Sequence, residues 1–146
     1  MNYWDTSALV KLYAEEPDSV AFETHAGLTS NPLGICRMGL YEARATFHRK
    51  EAEGSLKSGT AATLYAQLLQ DVAAGEVRLT ELDSDLDRAY GAVIEQCYRQ
   101  APPLPLRTLD ALHLAAARLS GSTEVVATDK RMREAARLLG FALFPP

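Results

Sequence analysis

A chain of 146 residues, 47% hydrophobic and 23% charged, is expected to form one globular domain over 1–146 with a single adequate core. No apolar run approaches a membrane span, a strand beginning at Met1 leaves no room for a signal peptide, and Cys36 and Cys97 lack any zinc or CxxC spacing, so a reducing, cytoplasmic setting fits best. The formal net charge of −4 argues against a simple polycation for nucleic acid, although withdrawing four of the 19 acids into a metal site would leave the remainder balanced against 15 Lys and Arg.

The chain opens with strand-forming residues that run straight into Asp5, a small polar pair and then an apolar pattern of helical spacing. Residues 7–15 read as a short helix capped by Asp5 or Thr6, and Glu16-Pro17-Asp18 breaks it. Helical character resumes over 19–25, a Ser/Asn/Pro/Gly loop covers 27–34, and 33–36 is a weak second strand. A helix over 39–53 carries Leu40, Ala43 and Phe47 as its apolar stripe, with Arg44, Glu51 and Glu53 solvated. A further helix over 56–74 places Ala61, Leu64, Leu68 and Val72 at core spacing and stops at Gly75.

Residues 77–82 alternate as a third strand, and Asp83 or Ser84 caps a helix whose Leu86, Ala89, Tyr90, Val93, Ile94 and Cys97 follow i, i+3, i+4, i+7. The Pro-rich stretch 101–106 is a rigid connector. It leads into a small-residue helix over 108–119, a strand over 124–128, a helix over 130–139 and a last strand over 141–144. This alternation predicts an α/β fold with a parallel sheet covered by helices on both faces, and right-handed crossovers bring the C-terminal strand ends to one edge. Ligands bind along such an edge in open α/β sheets.

Four acids are placed to reach it. Asp5 ends the first strand, Glu42 lies in the first turns of the 39–53 helix, Asp110 in the first turn of the 108–119 helix, and Asp129 directly after the fourth strand. Singly, Asp5 and Asp129 are ordinary helix caps, Asp110 complements a helix dipole and Glu42 is an exposed helix residue. Jointly, like charges ~5 Å apart repel by roughly 3 kcal/mol at an effective dielectric near 20, so a cluster of four calls for a cation. Oxygen-only ligands favour Mg²⁺ or Mn²⁺ over zinc. A divalent ion eases deprotonation of water and offsets phosphate charge, which suits phosphodiester hydrolysis. No Ser/His/Asp or Cys/His set points to a covalent nucleophile.

The segments Tyr3-Trp4-Asp5-Thr6-Ser7-Ala8-Leu9, Tyr41-Glu42-Ala43-Arg44-Ala45, Leu109-Asp110-Ala111-Leu112-His113-Leu114-Ala115-Ala116-Ala117 and Val126-Ala127-Thr128-Asp129 together resemble a PIN-domain ribonuclease, in particular the toxin of VapBC-type bacterial toxin–antitoxin pairs. The resemblance runs essentially end to end. It implies a five-stranded parallel sheet ordered 3-2-1-4-5 and divalent-metal-dependent RNA cleavage, with Asp5, Glu42, Asp110 and Asp129 as the acidic site. It also implies a homodimer, and an antitoxin whose C-terminal segment fills the groove. The sequence departs from the pattern at Ile35-Cys36-Arg37-Met38-Gly39, where the family often has a Thr-Ser or Ser-Ser pair.

Two other readings stay open: a non-catalytic module that keeps the fold, and a haloacid-dehalogenase-type phosphoryl-transfer enzyme. Against the latter stands Ser7, where that chemistry wants a second Asp. Thr6, Ser7 and Thr128 are candidates to orient the carboxylates, or simple caps. Lys11, Arg37, Arg44, His48, Arg49, Lys130 and Arg131 are candidate phosphate contacts, with solvated surface charge the competing role. His113, one turn after Asp110, either faces the site or packs as a hydrogen-bonded histidine, and Tyr3 and Trp4 are expected in the core or at an interface.

Overall fold

The computed structural model describes residues 1–146. Five short strands, β1 (Asn2–Trp4), β2 (Leu33–Cys36), β3 (Val77–Thr80), β4 (Glu124–Val126) and β5 (Ala142–Phe144), form one sheet in the order β3-β2-β1-β4-β5, and every pairing is parallel. The helices are α1 (Thr6–Val10), α2 (Ser19–Ala26), α3 (Arg37–Ala52), α4 (Thr60–Ala74), α5 (Ser84–Tyr98), α6 (Thr108–Leu119) and α7 (Lys130–Leu138). None is long and apolar enough to cross a membrane.

Strand alternation divides the core into two layers. Tyr3, Cys36 and Val125 face one side, where Leu86, Val93 and Cys97 of α5, the alanines of α6 and Met132 of α7 pack against them. Their neighbours Trp4, Ile35 and Val126 face the other side, against Leu9, Phe22, Phe47 and Leu68. Both faces are covered, which is why these strands read as apolar on consecutive residues.

Element ends differ from the sequence reading for identifiable reasons. The predicted 7–15 helix ends at Val10, after which Lys11, Leu12 and Tyr13 donate to carbonyls three residues back. Pro17 disfavours a helical Glu16, and the Ser19 hydroxyl takes up the Lys11 carbonyl at 2.8 Å. Helix α3 starts at Arg37, directly off β2, so Glu42 falls in its second turn. Strands β3 and β4 stop at Thr80 and Val126 because their partners end there.

The predicted start of the next helix at 56 is corrected to Thr60, after a left-handed Gly59. Glu51, expected to be solvated, instead accepts the backbone N–H groups of Gly59 (3.0 Å) and Ala61 (2.8 Å), satisfying donors that α4 leaves open. These bonds hold the Glu51 carboxyl below the ordinary carboxylate pKa. A group with a depressed folded-state pKa stabilises above its unfolded value and loses that contribution as pH falls through the folded one. Glu51→Gln should therefore melt below wild type at pH 7, and the gap should close on acidification through the carboxylate range; a gap constant with pH would refute the capping role.

Candidate active site

Each acid reaches the C-terminal sheet edge from a different element. Asp5 leaves β1 at the N-cap position of α1, but its carboxylate makes no capping bond; Oδ2 accepts from Ser7 Oγ at 2.6 Å. Glu42 projects from α3, with Oε1 accepting from Thr6 Oγ1 at 2.8 Å and from His113 Nε2 at 2.6 Å. Asp110, 8% exposed, sits in the first turn of α6 and accepts from Arg107 Nε at 2.8 Å. Asp129 caps α7 by accepting from the Met132 N–H at 3.0 Å, so its bland reading holds for Oδ1, while Oδ2 lies 3.6 Å from Arg107.

All four line one open cleft of about 490 Å³, together with Thr6, Ser7, Thr128, Thr46, Glu16, Arg49, Lys50 and Arg107. Val10 is its one hydrophobic wall residue, and five carboxylates face three cations. The walls supply hard oxygen donors and neither thiolate nor imidazole, a set that suits Mg²⁺ or Mn²⁺. No three His, Cys, Asp or Glu side chains are drawn tightly enough together to cage an ion as they stand. Each carboxylate is instead engaged by a protein partner: Arg107 contacts Asp110 and Asp129, His113 and Thr6 bond to Glu42, and Ser7 bonds to Asp5.

His113 is 1% exposed and lies behind the cleft wall, Nε2 also 3.7 Å from Asp5 Oδ1. Burial disfavours the charged ring, but the Glu42 bond and the Asp5, Glu42 and Asp110 charges outweigh it and raise its pKa above the ordinary imidazole value. Burial likewise works against the Glu42 carboxylate, yet the bonds from His113 and Thr6 carry its pKa below the usual range. On the far side of the ring, Tyr3 Oη lies 2.7 Å from Nδ1 and accepts the Cys36 N–H at 3.0 Å. Tyr3 and Trp4 are fully buried, as expected of core residues, and burial pushes the Cys36 thiol pKa up; Cys36 packs in the core rather than facing the cleft.

Of the other polar candidates, Thr6 and Ser7 donate to Glu42 and Asp5, whereas Thr128 lines the cleft without a side-chain bond. Among the seven candidate phosphate contacts, Arg49 alone lines the cleft. Lys11 is engaged by Asp18 (2.8 Å) and Glu16 (3.5 Å), Arg37 is forked onto Glu81 (2.7 and 2.6 Å), and Arg44 lies over the Tyr65 ring. Sequence reasoning missed Arg107 and Lys50. The Arg107–Asp110 spacing of i,i+3 was the available signal for the first; for Lys50 it was the face shared by Glu42, Thr46 and Lys50 at steps of four.

A parallel 3-2-1-4-5 sheet with four acids gathered at its C-terminal edge narrows the class, and the chain belongs to the PIN domain family, whose profile matches residues 3–138. Ribonuclease VapC46 of Mycobacterium tuberculosis is 34% identical over 149 residues, an overlap covering 99% of this chain and 96% of that protein. Among solved structures, FitAcB from Neisseria gonorrhoeae superposes with a TM-score of 0.72 at 19% identity, covering 100% of this chain and 98% of that one. VapBC2 from Rickettsia felis, solved bound to a DNA fragment from its promoter, gives 0.67 at 16% identity and covers 98% and 97%. The family match displaces the haloacid-dehalogenase alternative.

Proposed function

We propose that this chain is a divalent-metal-dependent endoribonuclease and the toxin of a type II toxin–antitoxin pair. The observation that carries the proposal is the meeting of Asp5, Glu42, Asp110 and Asp129, from four separate elements, around one polar cleft. The similarity to a protein named as a ribonuclease supports RNA as the substrate, the likeness to VapBC2 supports a cognate antitoxin, and a homodimer is what the family resemblance implies. Residues 1–146 act as one domain, in the cytoplasm.

The four carboxylates are the groups that would hold Mg²⁺ or Mn²⁺, which when bound supplies Lewis acidity and neutralises phosphate charge. Glu42 Oε1 is taken up by Thr6 and His113, and Oε2 has no protein partner. Ser7 fixes Asp5 through Oδ2 in the same way. Arg49, Lys50 and Arg107 stand on the cleft walls where an RNA backbone would pass, and they attract its phosphates. Arg107 also balances the charge of Asp110 and Asp129, and these two carboxylates raise its own pKa.

The test is cleavage of a structured RNA by the purified chain with Mn²⁺ and with EDTA. Internal cuts that need the metal, and that stop when the protein encoded beside this gene is added, are the expected result. Intact RNA under all conditions would leave a non-catalytic module.

A further inference from the structure

A buried polar chain runs behind the cleft wall: the Cys36 N–H donates to Tyr3 Oη (3.0 Å), Tyr3 Oη meets His113 Nδ1 (2.7 Å), and His113 Nε2 meets Glu42 Oε1 (2.6 Å). Tyr3 and His113 are 0% and 1% exposed, and Tyr3 lies edge-on to the imidazole. The donor at the Glu42 end follows from elementary chemistry, whereas the Tyr3–His113 direction follows the protonation of the ring. Glu42 is acceptor-only when ionised, so a close contact from Nε2 requires a proton on that nitrogen. In the neutral ring Nδ1 is then the acceptor and takes the Tyr3 hydroxyl proton, while the Tyr3 oxygen remains free to accept from Cys36. In the protonated ring Nδ1 instead donates to the Tyr3 oxygen, and Nε2 still carries its hydrogen. The donor to Glu42 is thus present in either state.

From this geometry we infer that His113, held in its Nε2–H form by Tyr3, is a positioning residue that fixes Glu42 with Oε1 turned to the wall and Oε2 presented to the cleft. Thr6 donates to the same Oε1 from the other side, so one carboxylate oxygen is committed to the protein and the other is left for a ligand. His113 Nε2 also stands 3.7 Å from Asp5 Oδ1, which places a donor between two acids contributed by α3 and by the end of β1. Tyr3, His113 and Glu42 belong to β1, α6 and α3, so these bonds tie together the helices that carry Asp110 and Glu42 and the strand that runs into Asp5. Donors behind metal-binding side chains characteristically set ligand orientation and affinity. The inference rests on the reading of the cleft as a metal-dependent nuclease site.

Gln and Asn separate positioning from packing. The side-chain amide nitrogen of Gln falls near the place of Nε2 and can still donate to Glu42, whereas that of Asn falls near Nδ1 and cannot reach it. His113→Gln and His113→Asn are compared with wild type for Mn²⁺ affinity by calorimetry and for kcat and KM on an RNA oligonucleotide. The Asn variant should bind Mn²⁺ ~10-fold or more weakly with a matching fall in kcat, the Gln variant within about threefold of wild type, and KM for RNA should hold in both. Equal Mn²⁺ affinity in the Asn and Gln variants, in a wild type that does bind Mn²⁺, overturns the inference alone. A wild type that takes up no Mn²⁺ overturns the nuclease reading and the inference with it. Nitrogen-15 NMR of the three histidines in the unmodified protein decides the matter even where the Asn variant does not fold. A slowly exchanging Nε2 proton on His113 is expected, and a neutral ring protonated on Nδ1 contradicts the assignment.

Discussion

Asp5→Asn should lower metal-dependent RNA cleavage by ~10²–10³-fold while the protein folds normally. The loss follows from removing one anionic oxygen donor from a site whose ion is worth several kcal/mol to the transition state, at tenfold per ~1.4 kcal/mol. The fold is spared because Asn keeps an oxygen for the Ser7 hydroxyl, the one hydrogen bond that the Asp5 carboxylate accepts, and because the backbone of residue 5 carries the α1 cap and the bond to Val126. Melting curves in EDTA should show the variant no less stable than wild type, since it relieves repulsion among five clustered carboxylates. Full, EDTA-sensitive activity in the variant would remove Asp5 from the site.

The second large effect is on stability. A ligand bound only by the native state stabilises it by RT ln(1 + [L]/Kd), about 2.7 kcal/mol at a hundredfold excess over Kd. For a chain of this size that raises the melting temperature by ~5–10 °C, at ~2–4 °C per kcal/mol. Saturating Mn²⁺ should therefore produce a shift of this order in wild type, and little in Asp5→Asn or Asp110→Asn. Calcium and magnesium should follow manganese in kind, because all three take oxygen ligands. An unchanged wild-type melting curve at millimolar Mn²⁺ would argue for a module that keeps the fold without the ion.

The arrival of Asp5, Asp110 and Asp129 at one cleft was legible because these three are attached to strong local signals, whereas Glu42 read singly as an exposed helix residue. Asp5 directly follows an apolar strand, Asp129 comes three residues after the end of another, and Asp110 lies in the first turn of a helix of small residues packed between α5 and the sheet. The strand order followed from the family resemblance rather than from periodicity, which showed only that strands and helices alternate. What stayed hidden depends on partners distant in the chain. His113 is one turn from Asp110, but its significance depends on Tyr3, 110 positions away, and Glu42, 71 away. Arg107 pairs locally with Asp110, but its second contact, to Asp129, exists only because the fold brings the start of α7 beside it. Glu51 looked like any exposed helix residue until the chain turned back at Gly59 and offered it two open N–H groups. Charge alone did not separate phosphate contacts from surface charge; the structure does so for Lys11 and Arg37, which are paired with acids of their own.

The most direct measurement is the anomalous difference density of a crystal of this protein soaked in Mn²⁺. The expected result is a peak within coordination distance of carboxylate oxygens from Asp5, Glu42, Asp110 and Asp129, with Arg107 displaced from at least one of its two partners. Density only at scattered surface acids, with the cleft carboxylates still bound to Arg107 and His113, would contradict the reading of this cleft as a metal-dependent nuclease site.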